Sequence, residues 1–190
     1  MAYSIQDFEI AELWFKKALG DERFKSLAEY YIMECRFMDN DYDFVIENAP
    51  AMLDSLPAER QGRMARILSE SYLVRGQNDK ALQYLNKESK PDSRTDFFHA
   101  GSVLYAVEDY KGAIENFSRM EARIDSVGQV ANYCLGYSYI QTGNKVSAAE
   151  AFKEASQPSF NPIIQEDAAF NYAKLSFDLN GDTSPFSEYI

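Results

Sequence analysis

Histidine is almost missing from the 190 residues: there is one, His99, and there are only two cysteines, Cys35 and Cys134. Acid–base work by His99 would need a nucleophile or carboxylate beside it, and its surroundings, TDFFHAGSVL, supply none. It reads as a surface or groove residue on a helix. The cysteines are far apart and lie in apolar helical stretches. That spacing fits neither a disulfide framework nor a set of metal ligands, and both read as small core residues. No apolar run approaches the roughly 18 residues of a membrane span. The opening MAYSIQDFEI has neither a basic segment nor an apolar core, so it does not read as a signal peptide. Cations are scarce as well. Nineteen Lys and Arg stand against 30 Asp and Glu, a net charge of −11 with His neutral. Phosphate backbones and anionic lipid would be repelled, which argues against nucleic acid and anionic membrane. The balance fits acids that simply solvate helix surfaces, and is compatible with a cationic partner segment.

Motifs that carry chemistry are missing too. No GxGxxG, P-loop, HExxH or GxSxG occurs. The run Asp39-Asn40-Asp41-Tyr42-Asp43 opens like a calcium loop. Such a loop wants Gly at its sixth place and Glu at its twelfth, and Phe44 and Pro50 stand there. The run reads as a solvated turn. Asn116-Phe117-Ser118 fits a glycosylation sequon, but it falls mid-helix with Phe117 on the buried side. The expectation is therefore no catalytic residue, no cofactor and no metal.

What the chain does have is repetition. Five segments superimpose: FEIAELWFKKA, YDFVIENAPAM, NDKALQYLNKE, YKGAIENFSRM and KVSAAEAFKEA. Their fourth positions are Ala11, Val45, Ala81, Ala113 and Ala148, spaced 34, 36, 32 and 35 residues apart. Four residues later come Phe15, Ala49, Leu85, Phe117 and Phe152. Three residues earlier come Phe8, Tyr42, Asn78, Tyr110 and Lys145. Twelve before the key position lie Ser69, Gly101 and Gly136, with Met33 out of line, and nine before it lie Tyr72, Leu104 and Tyr139. Small residues in one column let two helices cross closely, and the aromatic of the next helix fills the space beside them.

Apolar residues recur at helical spacing throughout, with no persistent period of two. The expected helices span about 4–19, 22–38, 42–55, 58–75, 78–88, 93–107, 110–123, 128–142, 145–156 and 164–180. Gly76 and Gly143 fall where left-handed C-caps are wanted. Asp39, Asn40 and Asp41 make the equivalent turn one repeat earlier. Pro57, Pro91, Pro158 and Pro162 mark the junctions between repeats. Pro50 should kink or shorten its helix, because it lacks the N–H that the helix needs.

Over nearly its whole length the chain resembles the tetratricopeptide repeat family. The resemblance implies an all-α fold, a right-handed superhelical solenoid of antiparallel helix pairs. It would be one array over 1–190, with a partial repeat at 1–20, full repeats at 21–57, 58–91, 92–126 and 127–160, and a partial one at 161–190. Phe8, Trp14 and Phe15 at one end, and Phe170, Phe177 and Phe186 at the other, read as unpartnered. The tail TSPFSEYI reads as the opening of a further helix. Both ends suggest a piece of a longer array, or self-association. The stretch NYAKLSFDLNGDTSPFSEYI is similar to segments of large bacterial envelope-associated repeat proteins, which would imply periplasmic or outer-membrane assembly work.

In that family the first helices of successive repeats line a concave groove. The resemblance therefore implies groove positions at Arg66, Glu70 and Leu73, at Phe98, Ser102 and Tyr105, at Tyr133, Tyr137 and Ile140, and at Phe170, Lys174 and Phe177. An aromatic groove suits a peptide or helix, apolar with some basic residues. The function expected is a non-enzymatic interaction scaffold. The alternative is a structural module that assembles through its ends or as a homodimer, and stacking of sugars on the rings is a minor variant.

Overall fold

The computed structural model describes residues 8–88 and 90–185. Among them all regular structure is helical. The α-helices are α1 (Phe8–Ala18), α2 (Lys25–Met38), α3 (Tyr42–Met52), α4 (Ala58–Val74), α5 (Asn78–Leu85), α6 (Arg94–Ala106), α7 (Tyr110–Ser118), α8 (Ser126–Gln141), α9 (Lys145–Ser156) and α10 (Pro162–Asn180). They form two compact units, Met1–Lys90 with α1–α5 and Pro91–Ile190 with α6–α10. Within each unit, every helix packs against the next one in the chain.

Side-chain contacts show the direction of packing. In α6 and α7, Tyr105 meets Tyr110, Phe98 meets Phe117 and Phe97 meets Arg119. One index falls as the other rises, so the two helices are antiparallel. In α1 and α2, Glu12 meets Arg36 and Phe15 meets Tyr31, again antiparallel. Helices two apart run parallel. Tyr30 and Glu34 of α2 meet Arg60 and Arg63 of α4, and Tyr133 and Tyr137 of α8 meet Asp167 and Asn171 of α10. The last two pairs are each separated by 34 residues along the chain.

The turn between paired helices is built the same way four times. Asn40, Gly76, Glu108 and Gly143 have φ of 61°, 68°, 63° and 82°. The residue after each donates its N–H to the carbonyl five residues back: Asp41 to Arg36, Gln77 to Tyr72, Asp109 to Leu104 and Asn144 to Tyr139, all at 2.9 Å. That bond closes the first helix. The same residue then caps the second. Asp41, Asp109 and Asn144 accept from the backbone N–H of Phe44, Gly112 and Ser147, and only Gln77 has no side-chain cap. Gly76 and Gly143 are the left-handed residues the sequence marks. Glu108 is one it does not mark, because a side chain there carries strain.

Between the paired helices lie the recurring columns. Ala11, Val45, Ala81, Ala113 and Ala148 are all buried. A Cβ built on Gly101 would lie 2.7 Å from the Phe117 ring, and one on Gly136 would lie 2.7 Å from the Phe152 ring. Ser69 takes the same place in α4 and uses its hydroxyl, which donates to the Ala81 carbonyl at 2.8 Å.

Several boundaries differ from those expected. α7 ends at Ser118 rather than near 123, and α5 at Leu85 rather than 88. α2 begins at Lys25 rather than 22, after a turn, while α10 begins two residues early because Pro162 suits a first turn. Pro50 lies inside α3, whose α-helical hydrogen bonding gives way to a 3-10 turn at Leu53–Ser55. Ser184 and Pro185 are helical, and Phe186 lies outside the described residues.

Candidate functional site

In the second unit, α6, α8 and α10 share a face rich in tyrosine. α8 carries no charged residue. Its Tyr133 and Tyr137 stand one turn apart, with rings edge to face at 5.0 Å. The Tyr137 ring meets the buried Phe152 ring at 5.1 Å and 90°. Both hydroxyls donate to one oxygen of α10, Asp167 Oδ2, at 2.9 and 2.7 Å. Asn171 adds a third donor to that oxygen at 3.0 Å and reaches the Tyr137 hydroxyl at 3.3 Å. Tyr105 of α6 is half-buried and packs edge-on to Tyr110.

Burial keeps these phenols protonated. It pushes Tyr105 up to about 12, helped by the neighbouring Cys134 thiol, Tyr110 and Tyr137. Burial first, then hydrogen bonding to Tyr137 and Asp167, pushes Tyr133 up, and burial with the bond to Asp167 raises Tyr137. At neutral pH these groups are hydrogen-bond donors with exposed ring area and not bases.

The other expected positions in this unit are partly or well exposed. Phe98 is half-buried and tilts against Phe117, and Ser102 spends its hydroxyl on the Phe98 carbonyl at 2.7 Å. Ile140 and Lys174 are exposed. Phe170 and Phe177 are about half exposed, and with Ile163 they recur every seven residues along α10. Asp167 and Asn171 were not singled out from the sequence. Their signal was present, since each stands one 34-residue period after Tyr133 or Tyr137.

The first unit presents a smaller cleft between α2 and α4. It encloses about 210 Å³ and is lined by Glu34, Phe37, Met38, Arg63, Arg66, Ile67 and Glu70. Arg66 and Glu70 are therefore brought together, and Leu73 is half-buried outside this lining. Glu34, only 3% exposed, accepts from the Tyr30 hydroxyl at 2.6 Å and from Arg63.

Three expectations are corrected. His99 is buried, not a surface or groove residue. Phe15 is half-buried and stacks on Tyr31 at 4.9 Å, so it is not unpartnered. Cys35 is fully buried, but Cys134 is only partly so, and burial raises both thiols, to about 11 and about 12. Of the acidic turn, Asp41 caps α3 and pairs with Arg36, and Asp43 pairs with Arg75. Among the described residues no group of three or more His, Cys, Asp or Glu could hold a metal ion, and no helix is long and apolar enough to cross a membrane. The sequence matches no protein-family model and no curated protein.

Proposed function

We propose that the chain is a tetratricopeptide-type repeat, wound as a right-handed superhelix. In this reading it holds a peptide or helix of a partner protein against its first helices and performs no chemistry on it. The observation that carries this reading is the face of α6, α8 and α10. Tyr133 and Tyr137 of α8 meet Asp167 of α10, and Tyr105 of α6 is near enough to feel Tyr137; all three are half-buried with phenols protonated. Aromatic side chains held this way lose little entropy on binding and dominate contact energy. The acidic balance of the chain favours a segment that is apolar with basic residues.

Selection of peptides displayed on phage against the immobilised protein, followed by calorimetry, tests this. Tyr137→Ala should weaken a selected peptide by about 1–2 kcal/mol. Its ring also packs on Phe152, so a thermal melt accompanies it. Lys174→Glu, at an exposed position on the same face, provides a probe that costs little stability. Glu150→Ala on α9 is the control. Peptides that bind Tyr137→Ala and Lys174→Glu as tightly as they bind the parent and the control would overturn the reading.

Exposed apolar side chains favour assembly through the array ends as a second reading. Ile10, Leu13 and Trp14 are exposed along α1, and Ile163, Phe170 and Phe177 along α10. Light scattering coupled to size exclusion tests it. A mass near 21.7 kDa at high concentration would count against homodimers.

A further inference from the structure

The tyrosine face holds one carboxylate whose bonding is lopsided. Tyr133, Tyr137 and Asn171 all donate to Oδ2 of Asp167. Among the described residues none donates to Oδ1, and none forms an ion pair with Asp167. No described side-chain polar atom is both fully buried and unpartnered, so Oδ1 of the half-buried Asp167 keeps some contact with solvent. The donors on Oδ2 are all neutral, and α8 brings no charge to the face. Lys174, seven residues on along α10, lies about 10 Å away at helical rise and pairs with no described residue. A half-buried carboxylate is thus held rigidly, with two aromatic rings beside it and one lone-pair edge left free.

We propose that Asp167 Oδ1 and the rings of Tyr133 and Tyr137 form a subsite for an arginine side chain of the bound partner segment. Charge complementarity selects the occupant. A guanidinium offers N–H donors in a plane, so one edge can donate to Oδ1 while the plane lies along a tyrosine ring. Because Tyr133, Tyr137 and Asn171 fix the carboxylate beforehand, little ordering remains to be done on binding. An acidic side chain or a chain-terminal carboxylate would meet Asp167 with like charge and be rejected. The subsite rests on the interaction reading above and specifies the chemistry of its partner.

The probe is acetyl-Leu-Arg-Leu-amide, with its neutral near-isostere acetyl-Leu-citrulline-Leu-amide, titrated into the full isotope-labelled chain by NMR. The arginine peptide should shift the backbone amides of Tyr137, Asp167 and Asn171, saturating at a concentration roughly fivefold lower than the citrulline peptide, as a charge-assisted bond replaces a neutral one. That preference should shrink as salt is raised. Asp167→Asn keeps an oxygen for the tyrosine hydroxyls and removes the charge, so the preference should vanish while the spectrum stays that of a folded chain. Equal binding of the two peptides to the parent protein, shifts that map elsewhere, or an arginine preference that survives in Asp167→Asn would each overturn the proposal. The comparison in the parent protein needs no variant, so a folding defect in Asp167→Asn cannot mask the answer. Displayed peptides that compete at Tyr137 yet ignore Asp167 would sink the subsite and leave the interaction reading standing. Arginine preference without any displayed peptide on this face would do the reverse.

Discussion

Replacing Gly136 by Ala sets two known effects against each other and makes the helix crossing measurable. A methyl group built there would lie 2.7 Å from Cδ1 and Cε1 of Phe152 and 2.8 Å from Cζ. Carbon atoms in contact prefer roughly 3.5–4.0 Å, so the ring or the helix must retreat by about 1 Å. Phe152 cannot do this cheaply. It is fully buried, packed with Ala148 and Ala168 and flanked by the Tyr133 and Tyr137 rings. Overpacking of this kind costs about 1–3 kcal/mol. Alanine is the better helix former by about 1 kcal/mol, which offsets part of that cost. The net loss should be about 1 kcal/mol, and no more than about 2 kcal/mol. For a unit of this size each kcal/mol corresponds to about 4–8 °C in Tm. Urea unfolding followed by circular dichroism, with hydrogen exchange of the α8 and α9 amides, measures the loss locally. Adding Phe152→Leu should relieve the clash, so the double variant should lose less than the two single losses combined. Stabilisation of Gly136→Ala by about 1 kcal/mol would mean that helix propensity alone decides, and that the close crossing does not exist.

Ala113→Leu enlarges a fully buried position of the recurring alanine column and should cost about 1–3 kcal/mol in a thermal melt. Gln129 is buried, and its amide donates to the carbonyls of Ala155 and Pro158 and accepts from the Asn161 N–H. Gln129→Leu strips those partners and should cost about 1–3 kcal/mol in urea unfolding. Pro50 removes a backbone donor inside α3, so amide exchange across Tyr42–Met52 should be faster than across Tyr110–Ser118. The Gly128 N–H and the Arg94 guanidinium hold the Asp125 carboxyl below the ordinary aspartate range. Its contribution is present above the unfolded pKa of about 3.9 and is lost as pH falls through the lower folded value. Acid titration should therefore cost the parent chain more stability below about pH 4 than it costs Asp125→Asn.

The repeat was legible in the sequence because each column answers a local or nearest-neighbour demand. Ala113 and Phe117 recur as they do because an adjacent helix crosses there, and Gly76 and Gly143 are present because a left-handed turn needs no side chain. Such demands return every period, so the spacing of residues along the chain reveals them. Glu108 escaped because a turn can be enforced by its surroundings on a residue that does not favour it. His99 escaped for a related reason: burial depends on which face meets the neighbouring helix, and one polar residue among apolar ones gives no sign of it. The meeting of Tyr133 and Tyr137 with Asp167 and Asn171 was decided only in three dimensions. Parallel packing of α8 against α10 brings together residues 34 positions apart, and the choice of a single oxygen of Asp167 is set by the angle and depth of that packing. Periodicity can say which residues share a column, but distance and direction between columns belong to the tertiary structure.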